Sequence, residues 1–446
     1  MVRVAHPTAP LYGVLYSEQC WKGSASEEIP AMAGLCKYQV VLDICTNRRK
    51  LKRMIERQIA MELKDASREY PVVTVFGPRQ SGKTTLVQMV FPKRAYRSLE
   101  DPDVRAAAQA DPRGFLGDLG EGAILDEIQR MPELLSYVQG IVDRSGRRGQ
   151  FLLTGSHQPK LHEAVSQSLA GRTAILTLMG FSLEELSHYR TWDDPYELIV
   201  KGAFPGLHEH GLKPGRFYAS YVQTYLERDV RALINLKDLS RFQTLLTLLA
   251  GRVGQVANYT ALSNDVGVSS TTIKDWISAL KASFIVFELP PFFENIRKRV
   301  TKAPKFFFTD TGLVCHLLAI ETPQQAVRDP LRGHLYENWI VMEVLKARLN
   351  RGLRPDLYFY RDSHGNEVDL IVREAGRLHP VEIKSARTFT PEFLNGIEHF
   401  AKAVGRRAAE GTVLYDGDSA LTIKNVRVFN YLRHGRSDQI VRSPAP

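Results

Sequence analysis

Short apolar runs separated by long stretches of helical periodicity set the frame of this chain. Pro71-Val-Val-Thr-Val-Phe76, Ala123-Ile-Leu-Asp126 and Gln150-Phe-Leu-Leu-Thr154 are each too short for a buried helix. Continuous apolar runs of this length read as strands covered on both faces. With a fourth run at 174–178, they predict strands over 72–76, 122–126, 150–154 and 174–178, alternating with helices. That is an α/β core with its ligand at the carboxyl ends of the strands. Beyond Gly180-Phe-Ser-Leu-Glu-Glu-Leu186 the pattern turns helical, and Phe217-Tyr-Ala-Ser-Tyr-Val-Gln-Thr-Tyr-Leu226 carries aromatic residues at helical spacing, the mark of a core stripe. Glu227, Arg228 and Asp229 follow it, as a surface cluster in preference to an interdomain contact.

From about residue 253 the pattern predicts a winged helix. A helix around Thr260-Ala-Leu-Ser-Asn-Asp265, a turn at Gly267, Ser269 or Ser270 as N-cap, and a second helix from Thr271 to Ala282 form a helix-turn-helix. Strands Phe284–Leu289 and Lys305–Thr309 complete it, flanking a loop with Arg297, Lys298, Arg299, Lys302 and Lys305 that suits phosphate neutralisation. The second helix offers only Lys274 and Lys281, offset by Asp275, and no arginine for bidentate contact with guanine, so backbone contact is favoured over base readout.

The chemistry begins between the first strand and the helix after it. Gly77-Pro-Arg-Gln-Ser-Gly-Lys-Thr84 has the phosphate-binding spacing. Gly77 and Gly82 let successive N–H groups point at phosphate oxygens, and the following helix adds its positive end. Gly77, Pro78, Arg79, Gln80, Ser81, Gly82, Lys83, Thr84 and Thr85 are thus the expected ATP-binding set, with Lys83 on the β- and γ-phosphates and Thr84 on Mg²⁺. In Ala123-Ile-Leu-Asp-Glu127, Asp126 is expected to bind the metal through water and Glu127 to act as base for the attacking water. Thr154 and Ser156 end the next strand, within reach of the γ-phosphate or the water. Arg172, in Ser168-Leu-Ala-Gly-Arg172, is a candidate for stabilising transition-state charge in cis or across a subunit boundary, which would imply a homo-oligomer; a solvated or ion-paired side chain is the equal alternative.

A second signature lies in the last third. Glu337 falls on a helix in Gly333-His-Leu-Tyr-Glu-Asn-Trp-Ile-Val-Met-Glu343. Asp369 lies on the strand Asn366–Val372, and Glu382 and Lys384 lie on the strand Pro380–Ser385. Residues i and i+2 of a strand share a face. Asp369 and Glu382 there suit Mg²⁺, Lys384 suits positioning of a water that attacks a phosphodiester, and Glu337 would complete the acidic group from its helix. A solvated hairpin face is the plain alternative.

Composition refines this picture. The 446 residues, 44% hydrophobic, allow two to four domains with sizeable cores. A net charge of +10 favours a polyanionic partner, here nucleic acid. No run of some eighteen uncharged apolar residues and no signal-peptide core are present, so no membrane role and a cytoplasmic setting are expected. Cys20, Cys36, Cys45 and Cys315 have irregular spacing that suits neither zinc nor a disulfide framework. Residues 1–53, with three of those cysteines and the basic run Arg48–Arg53, lack clear periodicity and are expected to be an appendage, of the kind a misassigned start codon produces.

The ordered set GPRQSGKTTL, ILDEIQ, LLTGS, SLAGR, YLERDV, KFFFTDTGL, YENWI, EVD and VEIKS resembles, from about Met54 onward, prokaryotic AAA-type, STAND-like P-loop ATPases that end in a restriction-endonuclease-like domain. The resemblance implies an α/β fold: a three-layer P-loop NTPase core (54–190), a helical lid (191–250), a winged helix (251–312) and a restriction-endonuclease-like α/β domain (313–446), after the atypical segment 1–53. Lys83, Thr84, Asp126 and Glu127 match its nucleotide site, and Glu337, Asp369, Glu382 and Lys384 its nuclease-like pattern. The implied function is an ATP- and Mg²⁺-dependent switch acting on nucleic acid. The alternatives are a regulatory or signalling ATPase whose C-terminal domain binds nucleic acid or protein without cleaving, and a tight ATP binder that barely turns over.

Overall fold

The computed structural model describes residues 54–156, 165, 167–226, 238–293 and 303–434. The segment 1–53, the cluster Glu227, Arg228 and Asp229, and the loop residues Arg297, Lys298, Arg299 and Lys302 lie outside them. Ile55 onward forms one compact unit.

The first sheet is parallel throughout, in the order β2-β3-β4-β1-β5, with β1 at Val72–Phe76, β2 at Ala95–Ser98, β3 at Ala123–Asp126, β4 at Phe151–Gly155 and β5 at Thr173–Thr177. Four of these strands match the expected runs within a residue or two. β2 does not stand out in the sequence, because it is a half-exposed edge strand of four residues. Alternation along β1 divides the layers. Val73 and Val75 pack with Leu63 of helix α1 (Ala60–Glu69) and Leu86 of α2 (Lys83–Val90), while Val72 and Phe76 pack with Leu135 and Val138 of α3 (Leu134–Ser145). The result is the expected three-layer α/β core.

After β5 the short helix α4 (Leu183–Ser187) starts with a capping box, Ser182 Oγ accepting from Glu185 N and Glu185 returning to Ser182 N. Helix α5 (Pro195–Lys201) follows. Three further helices, α6 (Leu239–Ala250), α7 (Tyr259–Val266) and α8 (Ser270–Ala282), precede an antiparallel pair, β6 (Val286–Leu289) and β7 (Lys305–Phe308). Gly267 makes the turn between α7 and α8 with φ of 74°, and Ser269 is the N-cap of α8, its Oγ accepting from Thr272 N at 3.1 Å. The strand expected from Phe284 starts at Val286 instead, because Phe284 turns the chain with φ of 55°.

The C-terminal part opens with α9 (Thr311–Leu317) and the long α10 (Arg332–Leu349). A six-stranded mixed sheet follows in the order β12-β13-β11-β10-β9-β8. Its strands are β8 (Leu357–Arg361), β9 (Glu367–Glu374), β10 (Arg377–Lys384), β11 (Gly411–Tyr415), β12 (Leu421–Ile423) and β13 (Val426–Phe429), with α11 (Asn395–Val404) crossing between β10 and β11. β8, β9 and β10 form an antiparallel meander, and β10, β11 and β13 run parallel.

α10 is buried on every side, from Leu335 to Leu345 without a break. One apolar cluster joins it to Phe181 beside the first sheet, Phe242 and Ile273 of the middle helices, Phe307 of β7, and Ile383 of β10. Four charged side chains of α10, Glu337, Glu343, Lys346 and Arg348, are buried with it, and two of them pair with each other. Glu343 Oε2 accepts from Leu183 N at 2.7 Å, Lys346 Nζ donates to Phe181 O at 2.8 Å, and the two side chains pair at 2.9 Å.

Truncation of Glu343 to alanine leaves Lys346 buried without its counter-charge, so Glu343→Ala is expected to lower unfolding free energy by about 3–5 kcal/mol in urea titration. His208 supplies a pH dependence. Its Nε2 donates to Gly202 O at 2.8 Å, and burial pushes the imidazole pKa down to about 4 from 6.5. The stability this neutral ring contributes is complete above 6.5 and is lost as pH falls through 4. Relative to His208→Gln, the parent chain should lose up to about 3 kcal/mol between pH 6.5 and 4, measured by denaturant titration at each pH.

Candidate nucleotide site and a buried acidic cluster

At the carboxyl end of β1 the backbone makes the turn a phosphate cradle needs. A Cβ on Gly77 would sit 2.0 Å from Leu178 O, so only glycine lets the loop pass this close to the end of β5. Gln80 (φ 62°) and Gly82 (φ 89°) take left-handed backbone, and α2 then starts at Lys83. Lys83 is buried, its Nζ donating to Gly77 O at 3.1 Å and Pro78 O at 2.9 Å. Ser81 Oγ in the loop and Ser156 Oγ at the end of β4 are buried without a hydrogen-bond partner among the described residues.

Asp126 ends β3 beside this loop. Thr84 Oγ1 donates to its Oδ1 at 2.8 Å, Tyr96 OH to its Oδ2 at 2.9 Å, and Thr154 Oγ1 also to Oδ1. Thr84 and Asp126 are thus in direct contact, the donor set a Mg²⁺ ion on nucleotide phosphates requires. The unpartnered serine hydroxyls and the glycine-shaped cradle fit the nucleotide. Burial, then the charge of Asp126, pushes the Tyr96 phenol up. Tyr96 went unread in the sequence because it lies on the weak edge strand β2, and only the parallel register Ser98↔Asp126 brings it here.

Glu127 adopts left-handed backbone with φ of 56°, a conformation that costs a non-glycine residue on the order of 1–3 kcal/mol. The bend turns its carboxylate from the line of β3, where Gln129 Nε2 donates to Oε2, while Glu127 N donates to Thr154 Oγ1 at 3.4 Å.

Arg172 does not join this group. It directly precedes β5, and Val72 N at the start of β1 donates to its carbonyl at 3.1 Å, so it stands at the amino end of the sheet. The phosphate loop is at the other end, roughly 16 Å away along a five-residue strand. Its guanidinium holds Asp143 through two bonds, of 2.5 and 3.0 Å. A role in cis is therefore corrected to a surface ion pair. Arg57, in the non-helical segment that leads into α1, lies against the loop. Its guanidinium donates to Ser81 O at 2.9 Å, Met179 O at 2.8 Å and Glu185 Oε1 at 3.0 Å, and stacks on Phe181.

The second candidate group lies on β9 and β10. Lys384 Nζ reaches Glu382 Oε1 at 2.5 Å and Asp369 Oδ2 at 3.4 Å, and Asp369 Oδ2 also accepts from Ile383 N at 2.8 Å. Burial, with Asp369 next in weight, pushes the Glu382 carboxyl up to about 8, and its Oε2 is buried with no hydrogen-bond partner among the described residues. That orphaned oxygen beside Asp369 fits a divalent cation. Glu337 takes a different partner: its Oε1 accepts from Lys305 Nζ at 3.1 Å. The expected three-carboxylate group is thereby corrected to two carboxylates and a lysine, with Glu337 captured separately. Among the described residues no three His, Cys, Asp or Glu side chains converge as metal ligands. Lys305, read as part of the basic wing, is the residue that reorganises this cluster.

Two substitutions test the geometry at the nucleotide site. Tyr96→Phe removes a hydrogen bond to a charged acceptor and should lower ATP turnover roughly tenfold with little change in folding. Arg172→Ala should leave turnover of the monomeric chain within about twofold, in the same steady-state assay.

Residues 69–187 match the AAA domain family, and residues 332–433 and 193–324 match two domains of unknown function, DUF4143 and DUF8612. The uncharacterized proteins Mb2031c of Mycobacterium bovis and Rv2008c of Mycobacterium tuberculosis are each 30% identical over 407 residues, covering 90% of this chain and 88% of theirs. Among solved structures, the Walker-type ATPase PABY2304 of Pyrococcus abyssi is 14% identical with a TM-score of 0.42, covering 59% of this chain and 96% of its own. The STAND protein PH0952 of Pyrococcus horikoshii, with its tetratricopeptide repeat sensor, is 14% identical with a TM-score of 0.22, covering 65% of this chain and 46% of its own. No helix among the described residues is long and apolar enough to cross a membrane. With identity of 30% sustained along nine-tenths of its length and an AAA domain around the phosphate loop, this chain belongs to the family of these mycobacterial proteins and is a P-loop ATPase.

Proposed function

We propose that the chain is a Mg²⁺-dependent ATP-hydrolysing switch acting on nucleic acid through its C-terminal domain. The observation that carries the ATPase part is the contact between Thr84 and Asp126 at the mouth of the phosphate loop. Lys83 exchanges the loop carbonyls for the β- and γ-phosphates, and the N–H groups around Gly82 receive phosphate oxygens. Thr84 and Asp126 hold the ion, which when bound neutralises charge on the phosphate oxygens. Glu127, aimed by its left-handed backbone and by Gln129, orients the attacking water, with Thr154 fixing the backbone beside it.

Switching is supported by the way Arg57 and α10 share one short segment. Arg57 ties the phosphate loop to Met179, and α10 holds Phe181 and Leu183 two to four residues further on. Movement of the loop with nucleotide thus bears on the helix that carries Glu337.

For the target, the three helices and the β6–β7 pair constitute a winged helix in this reading, and the C-terminal helix, meander, crossover helix and parallel strand constitute a restriction-endonuclease-like fold. Asp369, Glu382 and Lys384 are its site, and the net charge of +10 favours a polyanionic ligand. A second reading, a domain that binds nucleic acid or protein without cleaving, is favoured by one observation: the ion pair of Lys305 with Glu337 withholds the third carboxylate.

Lys83→Ala should abolish ATP turnover, and unchanged turnover would remove the central claim. Mg²⁺-dependent cleavage of single- and double-stranded DNA and RNA, with and without ATP, separates the two C-terminal readings. Cleavage lost in Asp369→Ala supports the nuclease; intact ATP turnover with no cleavage by the parent chain supports binding alone.

A further inference from the structure

The acidic cluster contains a cation of the chain's own. Lys305 is the first residue of β7, contributed from outside the C-terminal sheet, and is only 4% exposed. Its Nζ lies 2.6 Å from Glu367 Oε1 and 3.1 Å from Glu337 Oε1, and it feels the charge of Asp369. The ring of Phe359, 5.4 Å from the ammonium, closes another side. The backbone gives it little freedom to leave, since Lys305 pairs with Leu289 on β6 and bridges to Val256. Gly254 shapes the same seat: with φ of 72°, it spares Glu337 Oε2 a Cβ that would stand 2.9 Å away.

Charge in the cluster divides into two halves. Four carboxylates, Glu337, Glu367, Asp369 and Glu382, face two ammonium groups. Lys384 serves Asp369 and Glu382, and Lys305 serves Glu337 and Glu367. A two-ion phosphoryl-transfer site needs carboxylates open to both ions, some 3.5–4 Å apart. Here the Glu337–Glu367 half is balanced by Lys305 together with Arg361, whose Nε lies 3.8 Å from Glu367 Oε2, and Glu382 Oε2, without a hydrogen-bond partner among the described residues, lies in the other half.

We infer that Lys305 is a built-in counter-ion occupying the place of a second divalent cation, so that the cluster accepts one ion, between Asp369 and Glu382, and excludes another. The single-ion part rests on the reading of Asp369 and Glu382 given above; the exclusion by Lys305 does not. The charge is fixed, needs no loading from solution, and joins the β6–β7 hairpin to the site.

The test is Mn²⁺ binding to the full nucleotide-free chain, followed by loss of the free-ion electron paramagnetic resonance signal, together with thermal unfolding at rising Mn²⁺. Lys305→Met should bind one more Mn²⁺ per chain than the parent, and its melting temperature should rise with Mn²⁺ more steeply. Lys305→Arg, which keeps the charge, should retain parental stoichiometry. Adding Glu337→Gln to Lys305→Met should abolish the gain. If Lys305→Met unfolds at low ionic strength, recovery of its folded circular dichroism on Mn²⁺ addition supports the inference, and failure to recover overturns it. Equal stoichiometry in a folded Lys305→Met also overturns it. Glu382→Gln separates the two parts: it should remove the parental ion and leave the ion gained through Lys305→Met. A parent that binds none, beside a Lys305→Met that binds one, sinks the single-ion reading and keeps the role of Lys305.

Discussion

The buried pair of Glu343 and Lys346 on α10 is the contact on which the arrangement of the other parts turns. It satisfies the backbone on both sides of Ser182, where the first sheet hands over to the helices. Two charges inside an apolar core are tolerated only when each is paired and the remaining polar groups find partners. Here each carboxylate oxygen has a donor, and the ammonium has both a carboxylate and a carbonyl. The pair therefore selects one docking of α10 against the ATPase core, since a shift by one helical turn would strand both charges in hydrocarbon. Dispersion and apolar burial around Trp339, Ile340 and Val344 then act on a helix whose register is already decided.

Around the nucleotide, the fold concentrates polar groups on one carboxylate. Asp126 accepts from residues on three elements, α2, β2 and β4, so the ends of neighbouring strands are tied to one another through a single side chain. The adjacent Glu127 sits in a backbone conformation its side chain disfavours. Placing a constrained residue next to a heavily bonded one is physically coherent, because the bonds to Asp126 supply the rigidity that holds the bend.

Strongly periodic features were legible in the sequence. Strands covered on both faces announce themselves as apolar runs, and the phosphate loop is fixed by backbone geometry that only certain spacings permit. This is why β1, β3 and β4 and the set from Gly77 to Thr84 were read from residues alone. Tyr96 and Arg57 were not, because each acts through a contact made across many residues of sequence, from a weak edge strand and from the irregular segment ahead of α1. For Arg172 the ion-paired alternative is the one seen within the chain. Its neighbours suggested chemistry, but parallel pairing puts the start of a strand at the end of the sheet away from the ligand. Glu337 lies on the expected helix, and only the arrival of Lys305 from a different element decided which charge it faces.

Arg57 also bears on where the ATP-binding unit begins. Similarity to the AAA domain starts at residue 69, and a fragment cut there would keep every residue of the phosphate loop. It would lose the guanidinium that holds Ser81 O, Met179 O and Glu185 together, and with it the Gln58 side chain that meets Ser182 and Asn350. A piece that keeps these contacts to the phosphate loop is therefore longer than the segment that matches the AAA domain. At its far end it borrows two side chains from α10, so the heredity of the domain and its physical boundary do not coincide.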